Sequence, residues 1–172
     1  MNNYEKQAAD FLEKYNCTME VEFIKNDFHF DGDKDKRDIY KITLKRGGRK
    51  MVLNFGQSLN CSGKFWVGYK MAGNARHRNA LPFNDIKEAQ KHSYFNNFVV
   101  QKNENFEEPT AYSVLTCLQK YDVGTFEDFC SEFGYDEDSK KAEKTYNAVV
   151  KDYKDVCSLF NDEELSELQE IQ

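Results

Sequence analysis

Residues 40–55 read YKITLKRGGRKMVLNF, with a turn signal, Gly47-Gly48, between two runs in which apolar residues alternate with others. If the two glycines form a two-residue hairpin loop, Tyr40 opposes Phe55, Ile42 opposes Leu53 and Leu44 opposes Met51. All three apolar pairs then fall on one face, as a register with a buried side requires, because a slip of one residue would turn the whole set to solvent. The same register sets Lys45 against Lys50 and Arg46 against Arg49, four cations at one tip. Like charges placed opposite one another weaken a ladder. The tip is therefore a candidate anion contact, and a cationic turn kept for solubility is the alternative.

Helices flank this hairpin on both sides. Tyr4, Ala8, Phe11, Leu12 and Tyr15 recur at helical spacing, and Met19, Val21 and Phe23 then alternate with Glu20 and Glu22 as a half-buried strand. A further strand is expected near Phe65 to Tyr69, where Lys64, Trp66, Tyr69 and Lys70 interleave rings with cations, followed by a loop carrying Arg76, His77 and Arg78. That interleaving suits stacking on bases as well as packing in a sheet. After Pro82, Asn84 or Asp85 caps a helix containing Ile86 and Ala89, and Tyr94, Phe95, Phe98, Val99 and Val100 form an apolar patch.

Pro109-Thr110 starts a helix with the stripe Ala111, Val114, Leu115 and Leu118. Thr125 and Asp128 are spaced as an N-cap and its acidic partner, Phe126, Phe129, Cys130 and Phe133 share a face, and Gly134 ends that helix. These two helices are expected to pair as a hairpin. The longest helix runs from Ser139 to Phe160, with Ala142, Tyr146, Val149, Val150, Tyr153 and Val156 at three- and four-residue steps. Asn161 and Glu164 open a last helix bearing Leu165, Leu168 and Ile171. The expected fold class is α+β: an N-terminal helix with a small antiparallel sheet in residues 1–80, then an acidic helical bundle in 81–172.

Charge divides along the same line. From Lys34 to Arg78 there are twelve Lys and Arg against two Asp and Glu, and from Glu104 to Gln172 six against eighteen, in a chain of 172 residues with net charge −6. Fields of opposite sign on one small protein can address two different partners. Asp136, Glu137 and Asp138 precede the long helix, and Asp162, Glu163 and Glu164 open the last, where the helix dipole favours negative charge. Rows of exposed carboxylates also resemble a phosphate backbone to a protein with a basic groove. These six residues are the candidate partner-binding set. Lys45, Arg46, Arg49, Lys50, Arg76 and Arg78 are the candidate nucleic-acid or second-contact set.

Aromatic residues make up 15% of the chain, with 14 Phe and 10 Tyr, which supplies a core despite 31% charged residues. Five separated cysteines without a CxxC pair point to reduced thiols, with Cys117, Cys130 and Cys157 expected to pack in helices. The opening MNNYEKQAADFLEK lacks the pattern of a signal peptide, and no stretch approaches the roughly 20 apolar residues that cross a bilayer, so an intracellular setting without membrane attachment is expected. Asp31, Asp33 and Asp35 begin like a calcium loop, but Lys36 stands at the required glycine and Ile42 at the bidentate glutamate. GxxxxGK[ST], GxGxxG, GxSxG and HExxH are absent, and His29, His77 and His92 are isolated. A binding protein without catalytic residues, metal or cofactor is therefore expected rather than an enzyme.

The segment EEPTAYSVLTCLQKYDVGTFEDFCSEFGYDEDSKKAEKTYNAVVKDYKDVCSLFNDEELSELQEI, residues 107–171, resembles small accessory proteins of tailed bacteriophages and related mobile elements, and KRDIYKITLKRG, residues 36–47, is similar to the same group. The resemblance implies a protein made in the cytoplasm of an infected bacterium. It implies binding to a host protein or ribonucleoprotein of a defence system, an anti-CRISPR activity against a CRISPR effector being the sharpest form. It assigns no residues. The leading expectation is an inhibitor that acts through the acidic helices; the alternative is an accessory protein whose basic hairpin contacts DNA or RNA directly, with a nuclease or other modifying enzyme third.

Overall fold

In the computed structural model, which describes residues 2–29, 35–68, 81–96, 99–119 and 122–171, only Gly47 and Gly48 separate strand β2 (Arg37–Arg46) from β3 (Arg49–Gly56). Gly47 takes φ +58° and Gly48 does not share that region, which meets the requirement of a type II′ turn for a positive φ at the first loop residue. Tyr40, Ile42 and Leu44 are buried on β2, and Met51, Leu53 and Phe55 on β3, so burial follows the expected apolar face. With β1 (Cys17–Asp27) the strands form an antiparallel sheet in the order β1-β2-β3.

The fold is α+β, with an N-terminal helix, two small antiparallel three-stranded sheets and C-terminal helices. Where the sequence suggests one boundary between residues 80 and 81, the chain clusters into two compact units that interleave: Met1–Glu20, Thr43–Leu53 and Thr110–Gln172 form one, Val21–Ile42 and Asn54–Pro109 the other. Composition changes along the chain, whereas units are set by which segments pack. The β2 and β3 strands carry the chain through both.

In the first unit, helix α1 (Asn3–Lys14) starts at a reciprocal cap in which Asn2 Oδ1 accepts from Glu5 N at 2.8 Å and Glu5 Oε2 accepts from Asn2 N at 3.1 Å. It buries Ala8, Phe11 and Leu12, and Asn16, with φ 50°, turns the chain from the helix end into β1. Helix α1 packs on α3 (Ala111–Leu118), and α4 (Phe126–Phe133) packs on α5 (Lys140–Leu159). The expected pairing of α3 with α4 is thus corrected: periodicity defines each apolar stripe but not the stripe it meets. Phe133, expected inside, is 54% exposed. Val149 and Val150 are only half-buried, while Leu159 is fully buried. Helix α6 (Asp162–Gln169) buries Leu168.

In the second unit, β4 (Phe65–Gly68) is flanked by β5 (Leu81–Phe83) and β6 (Val99–Lys102), with Trp66 opposite Pro82 on one side and Gln101 on the other. Helix α2 (Ile86–Asn96) covers this sheet, burying Ala89. Pro82 sits on an edge strand, where its missing N–H is tolerated. Of the expected apolar patch, Tyr94 lies within α2 and is 84% exposed, while Val99 and Val100 belong to a strand too short to announce itself by alternation. The strand expected at Met19–Phe23 runs four residues further, and Phe23 is 44% exposed rather than packed. Tyr69, Lys70, His77, Phe98, Asp31 and Asp33 lie outside the described residues.

Candidate functional site

The turn between α4 and α5 is built by its own sequence. Gly134 ends α4 in the left-handed region at φ 69°, and Tyr135 N donates back to Cys130 O at 2.9 Å. Asp136 O then accepts from Ser139 N at 2.9 Å, and Ser139 Oγ accepts from Ala142 N at 3.3 Å, starting α5. Asp136, Glu137 and Asp138 are all exposed on this turn. Beneath them lies a core of Phe129, Cys130 and Ala142, closed by Val123, Phe126, Tyr135 and Tyr146. Burial pushes the Cys130 thiol up, and Glu137, Asp136 and Glu127 push it further, so three carboxylates act on one point beneath the turn. A recess of about 450 Å³ opens beside it, with Phe126 and Tyr146 among Glu137, Asp138, Lys140 and Glu143. The Tyr146 hydroxyl donates to Gly124 O at 2.9 Å, which fixes one of those rings.

The second acidic group has a different fate. Asp162 and Glu163 are exposed on the first turn of α6, but Glu164 is 8% exposed. Its Oε2 accepts from Asn161 N and Asn161 Oδ1 accepts from Glu164 N, both at 2.9 Å, which is the expected capping box. The same carboxylate receives Arg46 at both ends, Nη1 to Oε2 at 2.5 Å and Nη2 to Oε1 at 2.7 Å. Arg46 holds the Glu164 carboxyl below its ordinary range by donating to it.

Three of the four tip cations are bonded within their own unit, although Lys45, Arg49 and Lys50 stay exposed and only Arg46 is half-buried. Arg46 Nη1 also donates to Leu159 O at 2.7 Å, and Arg49 Nη1 to Ser158 O at 2.5 Å, so two arginines satisfy carbonyls at the C-terminal end of α5. The Arg46 guanidinium lies 5.2 Å from the Tyr15 ring and 5.7 Å from that of Phe160. Lys45 Nζ reaches Glu20 at 2.5 Å on the neighbouring strand. Lys50 is exposed and has no ion pair among the described residues; Arg76 and Arg78 lie outside them. The two opposed arginines of the tip are thus answered by a carboxylate and helix-end carbonyls 109 to 118 residues away. Nearby, Glu167 receives Lys14 Nζ at 2.7 Å and the Tyr15 hydroxyl. Lys14 and Tyr15 lower the Glu167 carboxyl by their hydrogen bonds.

The cysteines are all free, with Cys17 and Cys130 buried and Cys157, expected to pack, exposed. Among the described residues no group of three or more His, Cys, Asp or Glu is placed to hold a metal, and no helix is long and apolar enough to cross a membrane.

Sequence reading missed a polar centre in the second unit. Asp38 is fully buried on β2, and its Oδ1 accepts from Asn26 Nδ2 at 2.9 Å and Asn84 Nδ2 at 2.8 Å, its Oδ2 from Gly63 N at 2.7 Å. Asn84 therefore does not cap α2; Asp85 does, accepting from Lys87 N at 2.8 Å and Glu88 N at 3.0 Å. The available signal was Asp38 itself, a carboxylate two residues before Tyr40 on the same side of the strand as the buried Tyr40, Ile42 and Leu44. Gly63 is required here: its φ is +74°, and a Cβ would lie 2.5 Å from the Pro82 Cβ.

No protein-family model matches the chain, and neither a curated protein nor a solved structure matches it.

Proposed function

We propose that this chain is a binding protein, an inhibitor of the phage type, that engages a basic surface of a host nucleic-acid-handling complex through the acidic face at the α4–α5 turn. The observation that supports this reading is the unequal fate of the two charged surfaces. Arg46, Arg49 and Lys45 are bonded within their own unit, whereas Asp136, Glu137 and Asp138 are exposed, without ion pairs among the described residues, beside a recess with two aromatic rings. Interfaces favour such aromatic anchors with a charged rim. Use of Arg46 on a nucleic acid would have to break its pair with Glu164 first. A CRISPR effector is one host complex with the required basic groove.

Capture from bacterial lysate with and without nuclease treatment identifies the partner, and association kinetics on the purified complex test the mode. Asp136→Asn, Glu137→Gln and Asp138→Asn together are expected to slow association about ten-fold at low salt with the fold unchanged, because rim charges act mainly on the on-rate. The difference is expected to shrink at higher salt, where screening shortens the reach of charge to about 8 Å or less. Nucleic acid should compete. A partner that keeps its nucleic acid in the complex, or a triple variant that associates as fast as the parent, overturns the reading.

A further inference from the structure

A pocket of about 520 Å³ lies in the second unit, with Phe23, Asn26, Lys36, Leu81, Phe83 and Asn84 in its lining. The volume is in the range of small-molecule sites. Its walls are rings and aliphatic groups left open to solvent: Phe23 is 44% and Leu81 40% exposed. Both aromatic walls are braced from another ring. Phe23 meets Tyr40 edge-on at 5.5 Å between centroids, and Phe83 lies 5.3 Å from His92. A planar ligand would find these surfaces already in place, which lowers the ordering cost of binding.

The polar side of the pocket is held from behind by Asp38. A carboxylate only accepts, so both amide nitrogens, Asn26 Nδ2 and Asn84 Nδ2, must turn toward it, and the two carboxamides are fixed without ambiguity of flip. Asn84 uses its oxygen on Lys64 N at 3.0 Å. Asn26 keeps its oxygen and its second N–H without a hydrogen-bond partner among the described residues. An oriented carboxamide beside an aromatic wall offers adjacent acceptor and donor to a flat heteroaromatic edge. That pairing matches the N6 amine and N7 of adenine, whereas guanine presents two acceptors at the same edge. Lys36 brings one cation to the lining for a phosphate, and Asp85 and Glu88 bring acceptors for sugar hydroxyls.

We propose that this pocket binds an adenine base, stacked against Phe23 and read by Asn26, presented by a free nucleotide or by single-stranded nucleic acid. The site shares no residue with the acidic face, so either reading stands if the other fails. Calorimetric titration of the full chain with adenosine, guanosine, cytidine and uridine monophosphates and with a short oligodeoxyadenylate tests it. Saturable one-to-one binding with adenine preferred is expected. Phe23→Ala is expected to weaken it about ten-fold, in line with base stacking on a ring. Asn26→Leu should remove most of the preference for adenine over guanine. Because Asn26 also supports Asp38, Leu81→Asp provides a second variant at an exposed wall position and is expected to abolish binding in a folded protein. Binding of the monophosphate assigns a free nucleotide; binding of the oligonucleotide alone assigns a nucleic acid. No saturable binding up to about 1 mM of any ligand, or binding that Phe23→Ala and Leu81→Asp leave unchanged, overturns the proposal.

Discussion

Replacing Arg46 by Ala removes two charge-assisted hydrogen bonds to Glu164, one to the Leu159 carbonyl and two ring contacts, and leaves a nearly buried carboxylate facing an empty space. Breaking such a pair from one side costs about 3 to 5 kcal/mol, most of it the unpaired charge rather than the value of the bond. Glu164→Gln keeps the cap to Asn161 N and an acceptor for one guanidinium N–H, so a smaller loss of about 1 to 2 kcal/mol is expected. With a urea dependence of about 2 kcal/mol per molar, the Arg46→Ala midpoint should fall by about 1.5 to 2.5 M. The Arg46→Ala and Glu164→Ala double variant should lose less than the two singles added together, by about 2 kcal/mol. Acidity offers an independent readout. Arg46 depresses the Glu164 pKa below its ordinary 4.5, so the pair's contribution is complete above that value and is lost as pH falls through the lower, folded-state one. Wild type and Glu164→Gln should therefore converge in stability as pH drops below about 4.5. A midpoint moved by less than about 0.5 M in Arg46→Ala, or strictly additive single variants, would refute the docking of the tip as a stabilising contact.

Two further outcomes test the helical core and the thiols. Phe129→Ala should cost about 3 to 5 kcal/mol, since Phe129 packs against Phe133, Tyr135 and Tyr146, while Val149→Ala at a half-buried position should cost less than about 1.5 kcal/mol; equal denaturation midpoints would show the α4–α5 packing to be wrong. In native protein at neutral pH a thiol reagent should modify the exposed Cys157 fast and Cys17 and Cys130 only on unfolding. Burial raises both of the latter thiols and withholds the thiolate, and rapid labelling of either would contradict that placement.

Local features of this fold were legible because they depend on neighbours in sequence. Thr125 with Asp128, Asn161 with Glu164, Gly134 and Gly47-Gly48 each carry a hydrogen-bond or φ requirement that a few residues satisfy. What escaped is what depends on distant partners. The tip arginines looked unpaired because Ser158, Leu159 and Glu164 answer them from the other end of the chain. Phe133 and Cys157 sat on plausible stripes, yet both are exposed. Asp38 drew no reading from its sequence neighbours, and only the approach of Asn26, Gly63 and Asn84 makes it a centre.

The Arg46–Glu164 pair also sets an order in time. Its two members are separated by 118 residues, so the hairpin tip is synthesised well before the carboxylate that receives it. At synthesis rates of about 5 to 20 residues per second, the interval is on the order of ten seconds. During that interval α1 and the tip wait for α3, α5 and α6, with their apolar faces uncovered and the two arginines unanswered. Contacts of such long range make for slow folding as well as late folding. A chain released early would present Arg46 and Arg49 bare, where the finished molecule holds them against the end of α5 and the start of α6.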